Sequence, residues 1–202
     1  LGNTRILREC GAKALNLARL QQLGYRVPPG MVVADCAFQT HFRETGLKHT
    51  GRALLSHLRT LEPAEIRQRS AVIRARICGS PLAPELRRDL AHVYETAWRG
   101  KLLAVRSSAA VEDGNDMSFA GQLDSVLGVG SLDRLEEAIR SVWASFWSER
   151  CLLYARRKDF GEMRMGVIVQ EQVSARYSGV LFTRDPLGAS KEEQAVIEYT
   201  RG

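Results

Sequence analysis

The sequence predicts a mixed α/β protein of the α+β class, with a helix-rich N-terminal part followed by a β-rich end. Two observations carry this. Apolar residues recur at helical spacing through most of the first hundred positions and again from Leu132 to Tyr154. From Met165 onward, short runs of Val, Ile, Leu and Tyr separated by turn residues read as strands. Between these regions, "LLAVRSSAAVEDGNDMSFAGQLDSVLGV" opens as a buried strand, becomes a long polar excursion, and returns to alternating apolar residues. A loop of that length inside a compact domain is uncommon, and is usually functional or disordered. The 202 residues suffice for one large domain or two small lobes, with a possible lobe boundary near residues 100–130.

Taken in order, "GAKALNLARLQQLG" reads as a helix with Leu15, Ala18 and Leu23 on an apolar stripe and Gly24 as its stop. "YRVPPG" is a turn, since consecutive prolines cannot continue a helix. "MVVA" reads as a short buried strand and is followed by a helix over about Ala37 to Thr45. Ile66, Ile73 and Ile77 mark one further helical stripe; Leu86, Leu90, Val93 and Ala97 mark another. Gly79-Ser80-Pro81 separates the two, and Pro84 suits the first turn of the second.

"SLDRLEEAIRSVWASFWSERCLLYARRK" is the longest periodic segment, with Ser131 as its N-cap. Trp143 and Trp147, four apart, are expected to pack in the core rather than to stack on a ligand. "MGVIVQEQV", "YSGVLFT" and "QAVIEYT" read as three strands, the first two joined by a turn at Ser174 to Arg176.

Composition narrows the function classes. A hydrophobic share of 45% and a charged share of 26% are ordinary for a soluble domain. No apolar run approaches the roughly 20 residues of a membrane span, so no membrane partner is expected. Cys10, Cys36, Cys78 and Cys151 form no ligand pattern and read as reduced thiols of a cytoplasmic protein. His41, His49, His57 and His92 are dispersed and read as surface or helix-edge residues. The net charge of +6 fits either nucleic acid or an anionic small molecule. The arginines are interleaved with acids along helices and form no nucleic-acid motif, so nucleic acid is the weaker alternative.

The polar excursion offers chemistry. Arg106 stands at the end of a predicted strand, followed by hydroxyls, and guanidinium pairs well with phosphate. Arg106 either meets an anionic ligand there or pairs with Glu112 or Asp113 to hold a surface loop. Glu112, Asp113, Asp116 and Asp124 lack the spacing of a calcium loop, and the segment is not a P-loop. Lys13 sits at the start of the first helix, where the dipole disfavours a cation unless an anion binds. It is either a phosphate contact or an exposed lysine.

The segments "GAKALNLARLQQLGYRVPPGMVV", "AVRSSAAVEDGNDMSFAGQLDSVL", "VWASFWSERCLLYARR", "MGVIVQEQVSARYSGVLFTRDP" and "AVIEYTRG" occur in one order. Together they resemble the N-terminal nucleotide-binding domain of the phosphoenolpyruvate synthase and pyruvate phosphate dikinase family, which rifampicin phosphotransferases share. The resemblance covers essentially all 202 residues and implies an ATP-grasp-like fold closing over Mg-ATP.

It implies that Lys13 and Arg106 contact ATP phosphates and serve catalysis. Gly121 and Ser125 would belong to a hairpin over the nucleotide, and Gln170 to Val173, with Gln172 between, would form the adenine linker, whose backbone groups read the base edge while Gln170 adds a side-chain contact. Gly179, Thr183, Asp185 and Pro186 match a block read as structural. Ala14 departs from relatives that carry a further glycine after the lysine. Magnesium ligands are expected beyond residue 202, so the chain reads as a C-terminally truncated part of a phosphotransferase, inactive alone. Its partners would be a nucleotide and the phosphohistidine and acceptor-binding domains of the full-length enzyme. The alternative is a non-catalytic nucleotide-binding or interaction module of the same fold.

Overall fold

The computed structural model describes residues 9–109, 123–156, 164–184 and 195–201. The expected contributions of Gly121, Glu112, Asp113, Asp116, Asp185 and Pro186 lie outside these residues. The fold is mixed helix and sheet, as the periodicities predict. In chain order the elements are α1 (Ala12–Gln22), β1 (Gly30–Val33), α2 (Asp35–Glu44), α3 (Leu47–Ser56), α4 (Pro63–Gly79) and α5 (Pro84–Val93). A π-helical turn (Tyr94–Trp98), β2 (Leu103–Ala109), β3 (Ser125–Val129), α6 (Leu132–Ser145) and α7 (Glu149–Ala155) follow. The last elements are β4 (Met165–Glu171), β5 (Tyr177–Phe182) and β6 (Val196–Arg201).

The chain forms two compact units, Leu1–Gln172 and Val173–Gly202. The division therefore falls after Gln172, and the 100–130 region lies within the first unit, because β2 pairs with β3 across it in one sheet. That sheet has the order β1-β4-β2-β3, with every described pair antiparallel. In the second unit β5 pairs with β6, Gly179 facing Tyr199, where a Cβ on Gly179 would lie 2.4 Å from Glu198 O. The expected neighbours β4 and β5 are thus in different sheets: β4 finds its partners in β1 and β2.

Helix starts follow local chemistry. Ser131 Oγ accepts the Arg134 N–H and caps α6. The long periodic segment is nevertheless two helices, because Ser148 starts a second one by accepting from Cys151 N–H. Helix α4 opens with a reciprocal Glu62–Glu65 capping box and Pro63 in its first turn. Its Ile66, Ile73 and Ile77 are fully buried. After α5 the stripe departs from expectation. The π-helical turn brings Tyr94 and Trp98 into the core and leaves Ala97 exposed. The Tyr94 hydroxyl donates to Gly130 O at 2.7 Å. On α1 only Leu15 of the expected stripe is buried; Ala18 and Leu23 are exposed.

The core lies between the helices and one face of the sheet, where Leu103, Val105, Val167 and Val169 meet Leu135, Ile139 and Val142. Trp143 and Trp147 are both fully buried in it, as expected. Gly51 on α3 admits the Trp147 ring: a Cβ there would lie 2.6 Å from Phe42 Cζ and 2.7 Å from Trp147 Cη2. Alanine is favoured over glycine in a helix by about 1 kcal/mol, but overpacking costs about 1–3 kcal/mol. Gly51→Ala is therefore expected to destabilise the fold, by about 1 kcal/mol net in denaturant unfolding. Increased stability would mean that the rings give way freely.

His41 corrects the surface assignment, being only 2% exposed. Its Nε2 lies 3.1 Å from Ile77 O, and its ring centroid is 5.2 Å from that of Trp143. Burial holds the imidazole pKa below its ordinary value. The Ile77 carbonyl and Glu44 oppose that shift, whereas Arg140 reinforces it. The unfolded chain thus binds the proton more readily than the folded one. This contribution to stability is complete above the unfolded imidazole value of about 6.5 and is lost as pH falls below it. Urea midpoints should drop between about pH 7.5 and pH 5.5, and His41→Gln should flatten that drop. An equally steep loss in the variant would assign the effect to other groups.

Candidate nucleotide site

Strand β2 has two unlike faces because side chains alternate along it. Leu103, Val105, Ser107 and Ala109 are buried, the first two in the core with α6. Ala104, Arg106 and Ser108 point to the opposite face. The register extends this face across the sheet: Val32, Ile168, Arg106 and Ser125 form one row, and Gly30, Gln170 and Ala104 form the next. Gly166 and Ser108 form a third row on the other side of Arg106.

The amino end of α1 rests on that third row. Ala14 N donates to Ser108 Oγ at 3.1 Å. Gly11, the N-cap residue, adopts φ +80°, and a Cβ on it would lie 2.0 Å from Ser108 O. Gly166 makes room for the preceding turn, since its Cβ would lie 2.5 Å from Cys10 O. Two glycines on different elements therefore let the helix end approach the sheet backbone. Ala14, where relatives were expected to show a further glycine, is buried with its N–H engaged.

Lys13 rises from this helix end and is half-buried. Arg106 is two residues from Ser108 on the same face, a separation of about 7 Å along a strand. It is exposed, and among the described residues its guanidinium has no hydrogen-bond or ion-pair partner. Ser125 is its direct cross-strand partner and is also exposed. The structure thus brings the amino end of α1, Arg106 and Ser125 to one side of one sheet. Asp124 faces a different task, pairing with Arg150 and donating its N–H to Ser145 Oγ at 3.2 Å.

Gln170 is buried on the same face, next to Ala104. Its Nε2 donates to Pro28 O at 3.2 Å, and among the described residues its Oε1 has no partner. It borders a cavity of about 350 Å³ between the sheet and α1, lined also by Ala14, Leu17, Ala18 and Gln21. Along the expected adenine linker, Glu171 N–H is engaged by Pro29 O and Gln172 N–H by Leu102 O. Gln172 Oε1 accepts from Gly128 N–H at 2.6 Å, which pins the end of β3. Val173 opens the second unit and is exposed. Sequence reasoning missed Ser108, although its place two residues after Arg106 is the parity signal that puts both on one face.

The family described as "Pyruvate phosphate dikinase, AMP/ATP-binding domain" matches residues 7–202. The chain belongs to this family. It is 36% identical over 202 residues to the phosphoenolpyruvate synthase of Aeropyrum pernix, covering 95% of this chain and 24% of that protein. A probable phosphoenolpyruvate synthase of Methanothermobacter thermautotrophicus is 31% identical over 199 residues, covering 95% and 29% respectively. The rifampicin phosphotransferase of a Streptomyces species is 33% identical over 195 residues, covering 94% and 22%. The chain spans about a quarter of the length of these relatives.

The described residues of this AMP/ATP-binding domain place their acids, histidines and thiols apart. No three His, Cys, Asp or Glu side chains among them come together to hold an ion. Among the described residues no cysteine forms a disulfide, and burial pushes the Cys151 thiol up to about 12. Among the described residues no helix is long and apolar enough to cross a membrane.

Proposed function

We propose that this chain binds ATP as the nucleotide-binding part of a dikinase-type phosphotransferase. One observation supports this reading above the rest: the amino end of α1, bearing Lys13, is seated on Ser108, two residues along β2 from Arg106 and on the same face. A helix amino terminus, a lysine and an arginine near one space favour a polyphosphate, since the helix dipole and both cations complement its charge. Lys13 neutralises phosphate as a point charge, and Arg106 grips oxygens with its planar fork. Ser125, opposite Arg106, adds a hydroxyl to the same row. Gly121, implied by the family motif, lies outside the described residues.

The base would lie toward Gln170, whose Oε1 accepts an exocyclic N–H. Glu171 and Gln172 already donate their N–H groups to Pro29 O and Leu102 O, so those two amides are not available to the base. Gln172 acts indirectly by holding Gly128. In the intact enzyme, phosphate from ATP would pass to a histidine on another domain and from there to pyruvate or another acceptor. Lys13 and Arg106 stabilise the charge that develops during transfer. Magnesium would enter with ATP, and reduced thiols fit a cytoplasmic setting.

Calorimetric titration of the intact protein with ATP, repeated on Arg106→Ala, tests the reading. Measurable affinity that the substitution leaves untouched would overturn the phosphate assignment.

A further inference from the structure

We infer that Ser108 is a positioning residue for polyphosphate binding: from β2 it caps the amino end of α1 and thereby sets the spacing between Lys13 and Arg106. The inference rests on the nucleotide reading above and adds to it a residue that touches no ligand.

Helix α1 has no cap of its own. Its N-cap residue is Gly11, which offers no side-chain acceptor. The usual local solution is Ser, Thr, Asp or Asn at that position. Here it is closed off, because a Cβ at position 11 would collide with Ser108 O at 2.0 Å. The acceptor comes instead from 94 residues away, as Ser108 Oγ takes the Ala14 N–H at 3.1 Å. Ser108 is fully buried, so water does not compete for that N–H.

The choice of acceptor is chemically selective. A carboxylate would cap the helix at least as well and suit its dipole. It would also place a negative charge beside the space where the phosphates are to sit, two residues from Arg106. A hydroxyl satisfies the amide and stays neutral. The same bond joins the two elements that carry the cations, so loss of the hydroxyl loosens their separation while leaving Lys13 and Arg106 in place. A binding site for a multiply charged anion is sensitive to such spacing, because each charge-assisted contact depends on distance and alignment.

The test compares ATP with adenosine by calorimetry on the intact protein and on Ser108→Ala, with folding verified by thermal melts. The expected result is an ATP dissociation constant raised about tenfold, the equivalent of losing one such contact, with adenosine affinity unchanged. A purely structural role would weaken both ligands alike or neither, and either outcome overturns the inference. If Ser108→Ala does not fold, Ser108→Cys is read in the same way, since it fills the space but is a poor acceptor. Wild-type protein that binds no ATP would bring down the nucleotide reading and this inference together. Wild-type binding unaffected by the Ser108 variants brings down only the inference.

Discussion

Arg106→Ala is expected to weaken ATP binding by about 10- to 100-fold while leaving the fold intact. The size follows from the loss of charged hydrogen bonds worth about 1.5–3 kcal/mol. The selectivity follows from exposure: the side chain reaches solvent, and no described residue depends on it for a hydrogen bond or ion pair. Thermal melting should therefore move little. Arg106→Lys should recover only part of the affinity, because an ammonium cannot reproduce the two parallel bonds of a guanidinium. The wild-type affinity should also fall with added salt more steeply than that of the variant. A loss of less than about threefold in folded Arg106→Ala would remove the arginine from the phosphate site.

The largest stability effect is expected at Trp147. Its ring is fully buried, stacked on Phe42 at 5.2 Å and 10° between planes, and edge-on to Phe146 at 5.9 Å. The Ser70 hydroxyl donates to its backbone carbonyl, which holds α4 against the end of α6. Truncating a buried Trp to Ala typically costs about 3–5 kcal/mol, through lost burial and the cavity left behind. Trp147→Ala should cost that much in urea unfolding, a large part of the stability of an ordinary domain. The indole N–H meets no acceptor among the described residues, so what is lost is packing. Trp147→Phe should accordingly recover more than half of the effect. Equal losses in the two variants would contradict that account.

Much of the fold is legible wherever a local pattern decides the outcome. The Ile66–Ile73–Ile77 stripe, the stop at Gly24 with φ +83° and the Ser131 cap all follow from residues within a few positions of one another. What could not be read depends on distant partners. The division after Gln172 follows from β4 pairing with β1 and β2, and apolar alternation names no partner. His41 is polar by type, but it is drawn inside by the Ile77 carbonyl and the Trp143 ring.

The site divides in the same way. Lys13 is visible as a helix-start lysine and Arg106 as an arginine in a strand, each weak alone; the strand does not end there as expected but runs on to Ala109, because Ser107, Ser108 and Ala109 continue the pairing with β4. The bond that seats the amino end of α1 on the strand of Arg106, Ala14 to Ser108, crosses 94 positions. Along the linker, the resemblance already gives the side-chain contact to Gln170, while nothing in the sequence assigns Gln172 a partner. Only the coordinates place Gln172 Oε1 on Gly128.

Strand β2 interleaves two jobs at single-residue resolution. Its odd-numbered side chains face the interior and its even-numbered ones the opposite side, where Arg106 reaches solvent and Ser108 carries α1, so a step of one position passes from one layer to the other. A lineage built on this strand is free to vary position 106 without renegotiating its interior. The same arrangement forbids any insertion or deletion of one residue there, which would exchange the two roles along the whole strand at once.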